Sequence, residues 1–163
     1  MNVELNVFEV LDIAEQIERN GAKFYRRAAE LFADGSIEKL FLDLATWENA
    51  HVRVFANMRA ELSEQNWESG GFEPTRLDLP DAQVMAGLAV FGVRPNPAEE
   101  LTGNEEVANI IRMAIQKEKD SIVYYTGLKD FVLSKAGKAK IDEIIAEEMR
   151  HVRILGESLE QRQ

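Results

Sequence analysis

Apolar residues recur every three or four positions over 7–32, 37–62, 107–132 and 141–159. That is the period of an α-helix with one buried face, and it predicts four helices of bundle length. Start signals agree: Asn6 with Glu9 and Thr102 with Glu105 fit the capping-box spacing, and Ser36 follows the turn residues Asp34-Gly35. No stretch alternates apolar and polar residues for long enough to predict a sheet. All four prolines (Pro74, Pro80, Pro95 and Pro97) lie outside the periodic segments.

The connections set the topology. Around Ala33-Asp34-Gly35 and from Leu133 to Gly137 they are short, which makes the joined helices antiparallel neighbours. Between them runs a long crossover, about 65–103, which holds Gly70-Gly71, the prolines and one apolar segment, Ala82 to Val93. That segment is expected as a short helix packed across the bundle. The expected architecture is all-α: one domain over 1–163, a four-helix bundle of two antiparallel hairpins (about 6–64 and 104–160) joined by the crossover.

A repeat reinforces this reading. Shifting the sequence by 100 residues aligns Ala14, Gln16, Glu18 and Tyr25 with Ala114, Gln116, Glu118 and Tyr125. The same shift aligns Glu48, His51, Val52 and Arg53 with Glu148, His151, Val152 and Arg153. Two copies of one helical hairpin are implied.

Composition narrows the class. The chain has 163 residues, 45% of them hydrophobic, with a net charge of −10. The acidic balance argues against nucleic acid as a partner, because phosphate binding needs a basic surface. Cysteine is absent, which excludes disulfides, iron–sulfur clusters, thiolate zinc and cysteine nucleophiles within the sequence. The longest uncharged run, between Asp81 and Arg94, is too short to span a bilayer, and the first residues carry no signal-peptide pattern. A cytoplasmic protein without membrane contact is expected.

The chemistry lies in the inward stripes. Leu11, Ala14, Gly21, Tyr25 and Ala28 line the first helix, with Glu18 at the middle; Ile111, Ala114, Ser121, Tyr125 and Leu128 line the third around Glu118. In the second and fourth helices the interruption is Glu48-x-x-His51 and Glu148-x-x-His151, with both residues of each unit on one helical face. A single core-facing glutamate is most often a solvated residue, and a single histidine there is most often a satisfied core residue. Six such residues in matched registers are another matter. Burying four carboxylates together costs several kcal/mol each unless cations compensate. Two divalent ions match four carboxylate charges, neutral imidazoles complete the donor set, and such a set suits iron or manganese better than structural zinc. Glu18 and Glu48 are equidistant from the first turn, and Glu118 and Glu148 from the second, so each pair faces across its hairpin at one height.

This pattern resembles the six-ligand di-iron carboxylate set of the ferritin-like superfamily, a glutamate from each of two helices plus Glu-x-x-His from the other two. Flanking residues, Glu18-x-x-Gly21-x-x-Phe24-Tyr25 and Leu44-Ala45-x-x-Glu48-x-x-His51, are similar to those of rubrerythrins. The resemblance covers the four helices and not the crossover. It implies two iron ions, with manganese or zinc as possible substitutes. Glu48 and Glu148 would bridge them, Glu18 and His51 would complete one, and Glu118 and His151 the other. Tyr25 and Tyr125 would donate hydrogen bonds to the ligating carboxylates. Three differences stand out. The four-cysteine iron site of rubrerythrins is missing, and their extra third-helix glutamate is replaced by Ser121. The position of the haem-ligating methionine of bacterioferritins is Asn49.

The expected function is therefore a non-haem di-iron oxidoreductase that reduces hydrogen peroxide in protection against oxidative stress, drawing electrons from an external donor protein. The alternatives are a ferroxidase or dioxygen-activating oxygenase, for which Gly21 and Ser121 leave room near the metals, and a non-catalytic iron-binding protein. Arg53 and Arg153 are read as surface or ion-pair residues, Trp47 and Trp67 as packing residues, and Glu15, Glu143 and Glu147 as solvated, with Glu147 beside Glu148 placed to help guide cations. A second apolar flank on the first helix, Val10, Ile13, Ile17 and Phe24, is expected to pack against the crossover or, in a homodimer, a second subunit.

Overall fold

The computed structural model describes residues 6–33, 35–68 and 100–163. They form four helices: α1 (Val7–Leu31), α2 (Gly35–Glu68), α3 (Val107–Leu128) and α4 (Lys135–Glu160). The described residues include no strand. No helix among them is long and apolar enough to cross a membrane.

Local chemistry explains most of the helix ends. At α1 the capping box forms: the Asn6 side chain accepts from the Phe8 and Glu9 amides, and the Glu9 carboxylate accepts from the Asn6 amide at 2.8 Å. The turn into α2 uses Gly35 at φ +46°, a left-handed conformation that costs glycine nothing sterically. Only half of the Thr102–Glu105 box forms: Glu105 accepts from the Thr102 amide and hydroxyl at 2.9 Å, while the hydroxyl accepts from the Asn104 amide, and the whole closes a separate turn. The helix begins later, at Val107, after Glu106 without a side-chain cap.

Three boundaries differ from expectation. α2 runs to Glu68 and does not end near 62. α3 ends at Leu128 rather than near 132, because the chain tightens into i→i−3 bonds from Asp130 to Gly127 and from Phe131 to Leu128. α4 starts at Lys135 rather than 141, with Ser134 as its cap accepting from the Gly137 amide at 3.0 Å. Its first turn is mostly polar or small, so apolar periodicity gives no sign of it.

Contacts between helices fix the directions. Within the first hairpin, Arg59 near the end of α2 reaches Asp12 and Glu15 near the start of α1. Between hairpins, Lys140 pairs with Glu61 while His51 meets Glu147 and Glu148, so α2 and α4 are antiparallel. The Tyr25–Glu118 and Tyr125–Glu18 pairs make α1 and α3 antiparallel as well. Hence α2 and α3 run the same way, so the end of α2 and the start of α3 lie at opposite ends of the bundle, about a helix length apart at ~1.5 Å per residue. A short turn cannot join them. The expected helix Ala82–Val93 lies outside the described residues.

The core occupies both sides of a polar middle. Leu11, Phe41, Leu44, Phe55, Ile110, Ile111, Ile141 and Leu155 are fully buried, each stabilising by about 1.5–3 kcal/mol relative to exposure. Tyr25 stacks on Phe41 with centroids 6.2 Å apart, and Tyr125 tilts against Phe55 at 5.1 Å. Val10, Ile13, Ile17 and Phe24 are also buried within the single chain.

Candidate metal centre

Every helix places its interrupting acid at mid-length, and the structure brings all six expected residues together. Glu18, Glu48, Glu118, Glu148, His51 and His151 are each no more than 5% exposed. They form two overlapping groups, Glu18–Glu48–His51–Glu148 and Glu48–Glu118–Glu148–His151, whose donor atoms lie within 4.8 Å of one another in each group. Glu48 and Glu148 belong to both.

The histidines turn the same nitrogen inward. His51 Nδ1 lies 2.8 Å from Glu148 Oε1 and 3.3 Å from Glu18 Oε2. His151 Nδ1 lies 3.3 Å from Glu148 Oε2, 3.5 Å from Glu48 Oε1 and 3.6 Å from Glu118 Oε2. The rings stack 5.8 Å apart. Each tyrosine crosses to the opposite hairpin: the Tyr25 hydroxyl donates to Glu118 Oε1, and the Tyr125 hydroxyl to Glu18 Oε1. Burial, and then the neighbouring carboxylates, raise both phenols well above their usual range, so they remain protonated donors.

The donor atoms are left wanting. Glu48 Oε1, both oxygens of Glu148 and both ring nitrogens of His151 are buried without a hydrogen-bond partner. Unpartnered buried polar atoms are costly, and here they converge on one site from α2 and α4. Without cations, protons must fill the role. Burial and the surrounding carboxylates push Glu48 up and Glu148 up to about 8. For the histidines burial acts downward, but carboxylate contacts outweigh it and raise His51 to about 11 and His151 to about 9. Glu118 moves the other way: burial would raise it, but Glu148, His151 and Tyr25 hold it down. A site that collects protons so strongly is an electrostatic trap for divalent cations, and its oxygen–imidazole donor set fits iron or manganese.

Space at the centre is small. Gly21 sits against Glu48: a Cβ built on it would fall 2.5 Å from Glu48 Oε2, so the glycine makes room for the carboxylate itself. Gly21, Phe24, Tyr25, Glu48, Lys117, Glu118 and Ser121 line a cavity of about 10 Å³, roughly one water. A larger groove of about 230 Å³ lies elsewhere, between Ser36 and Leu40 of α2 and the end of α4.

Several residues around the centre are placed differently from expectation. Glu15 is buried rather than solvated, held by Arg59 at 2.8 Å and Arg19 at 3.2 Å; the only sequence signal is Arg19 four residues on. Glu147 is half exposed, yet its Oε2 lies 2.8 Å from His51 Nε2. Trp47 packs, as expected, and does so by stacking on His151 at 5.2 Å with Arg150 over its indole. Lys117, buried against Phe24 and 2.8 Å from Glu100, carried no sequence signal. Arg53, Arg153 and Glu143 are exposed, as expected. The Trp67 side chain lies outside the described residues.

Four helices with a glutamate from each of two and Glu-x-x-His from the others, gathered in the bundle core, define the ferritin-like carboxylate class. The particular likeness is to a Thermotoga maritima protein provisionally described as a ferritin-like diiron-carboxylate protein, with a TM-score of 0.73 and 29% identity over 100% of both chains. No protein-family model and no curated protein matches the sequence. The chain is a ferritin-like four-helix bundle, and its buried carboxylate–histidine cluster fits a di-iron site.

Proposed function

We propose that the protein is a non-haem di-iron oxidoreductase that reduces hydrogen peroxide. The observation that carries this reading is the sharing of Glu48 and Glu148 between two four-residue groups. Glu18 and His51 would complete one metal, and Glu118 and His151 the other. Two ferrous ions there supply one electron each, the stoichiometry of peroxide reduction to water.

The chain's own residues do the rest. Four helices fix the donors, and Phe41, Phe55, Tyr25 and Tyr125 wall the site with apolar surface that keeps water out. The tyrosine hydroxyls hold Glu18 and Glu118 in place, as partners of ligating carboxylates do elsewhere. The cavity beside Glu48 and Glu118 has room for about one water-sized group, which speaks against an organic substrate at this place. With no cysteine in the sequence, re-reduction draws on an external electron donor.

The test is stopped-flow oxidation of the protein loaded anaerobically with two equivalents of ferrous iron. Oxidation much faster by hydrogen peroxide than by dioxygen supports the proposal. Faster oxidation by dioxygen moves the assignment to a ferroxidase or oxygenase, and iron that binds but reacts with neither leaves a storage or transfer role.

A further inference from the structure

The two halves of the centre are related by the 100-residue repeat, yet the residues that meet their two histidines differ. Glu147 meets His51, and its repeat counterpart Trp47 meets His151. The Glu147 carboxylate lies 2.8 Å from His51 Nε2, so that nitrogen carries a proton and donates it. The ring is thereby held in the tautomer whose bare Nδ1 faces Glu18 and Glu148, with its basicity raised by the charge. At His151 the arrangement is apolar. The Trp47 indole lies flat on the ring, its planes 12° apart, and Nε2 is buried with no partner. An indole offers no acceptor for that proton, so no hydrogen bond selects the tautomer or enriches the ring.

We propose that the two halves hold metal unequally: Glu147 acts as a positioning residue that makes the Glu18–His51 half the tighter one, and Trp47 in the matching place leaves the Glu118–His151 half weaker. This rests on the di-metal reading above. Carboxylate partners of metal-bound histidines are typically worth 10–100-fold in metal affinity, which sets the size of the difference. The chemistry gains from it, because a tight ion and a looser one divide anchoring from turnover.

Manganese(II) titration of the metal-free protein reads this directly, since a lone ion and a coupled pair give different electron paramagnetic resonance spectra. At one equivalent, a 10–100-fold difference leaves about 60–80% of the protein singly loaded, against about half for equal, independent sites. Repulsion between the ions raises that fraction in every variant alike, so the decisive comparison is with Glu147→Ala. The Glu147 side chain is 46% exposed, and its loss removes no core packing. Glu147→Ala should weaken the first step by 10–100-fold, leave the second nearly unchanged and lower the singly loaded fraction; Glu147→Gln, which keeps an acceptor oxygen, should fall between. In a Trp67→Phe background, where Trp47 is the only tryptophan, quenching should accompany the second equivalent. Two bound ions with Glu147→Ala indistinguishable from wild type, or quenching of Trp47 with the first ion, overturns this proposal alone. Fewer than two bound ions overturns the di-metal reading and this proposal with it.

Discussion

Substituting Gly21 by alanine separates stability from metal binding in a way that tests the geometry closely. The added Cβ falls 2.5 Å from Glu48 Oε2, 3.1 Å from Cδ and 3.3 Å from Cγ, whereas ordinary contact begins near 3.4 Å. The carboxylate oxygen must therefore retreat by about 0.9 Å, several times the ~0.2 Å tolerance of metal–ligand distances. In the metal-free protein the retreat costs little, because Oε2 is the far end of a flexible side chain and not backbone. The helix meanwhile gains about 1 kcal/mol from replacing an interior glycine by alanine. The melting temperature of the metal-free variant should stay within about 2–4 °C of wild type, while affinity for at least one metal falls by at least about 10-fold. Gly156→Ala is the control, since nothing lies within 4 Å of its Cβ: it gains the same helix stability and binds metal normally. Calorimetric metal titrations and thermal melts of the two variants check this. A Gly21→Ala protein that binds two ions with wild-type affinity refutes the placement of Glu48 at a shared position.

Other perturbations have outcomes of equal definition. Tyr25→Phe and Tyr125→Phe each strip one buried glutamate of its phenol donor; each should cost about 1–3 kcal/mol in the metal-free protein, by chemical denaturation, and the two effects should be similar. The metal-free protein should lose stability steadily as pH rises from 6 to 10. Glu148, raised from 4.5 to about 8, is protonated in the folded chain and ionised in the unfolded one between those values, so raising pH there favours unfolding. The histidine contributions have the same sign: they are complete below 6.5 and are lost as pH climbs through about 9 for His151 and about 11 for His51. Metal displaces these protons, so loading at pH 7 in weak buffer should release protons detectable with an indicator, and a proton-neutral loading would contradict the site's electrostatics. Arg59→Ala, which removes one partner of buried Glu15, should lower stability by about 1–3 kcal/mol without changing metal affinity, since Arg59 touches none of the six residues.

Helix existence and the polar centre were legible because they share one periodicity: charged residues at Glu18, Glu48, Glu118 and Glu148 stand where a 3.6-residue stripe demands apolar ones. The repeat made the match between hairpins visible without any structure. What escaped was whatever depends on the neighbour rather than on the helix itself. The polar start of α4 is hidden because its first turn buries only Gly137. Glu15 looks solvated until Arg59 arrives from the facing helix, and Glu147 looks solvated until His51 does. The crossing of Tyr25 to Glu118 and of Tyr125 to Glu18 needed the antiparallel setting of α1 and α3, which no local pattern specifies. The room at Gly21, which the sequence offered to a substrate, is taken by the Glu48 carboxylate.

The most direct test of the central claim is anomalous X-ray diffraction from crystals of the protein loaded with iron. The account predicts two peaks about 3.5–4 Å apart, both within bonding distance of Glu48 and Glu148, one beside His51 and the other beside His151. A single peak, or metal bound away from these residues, would contradict it.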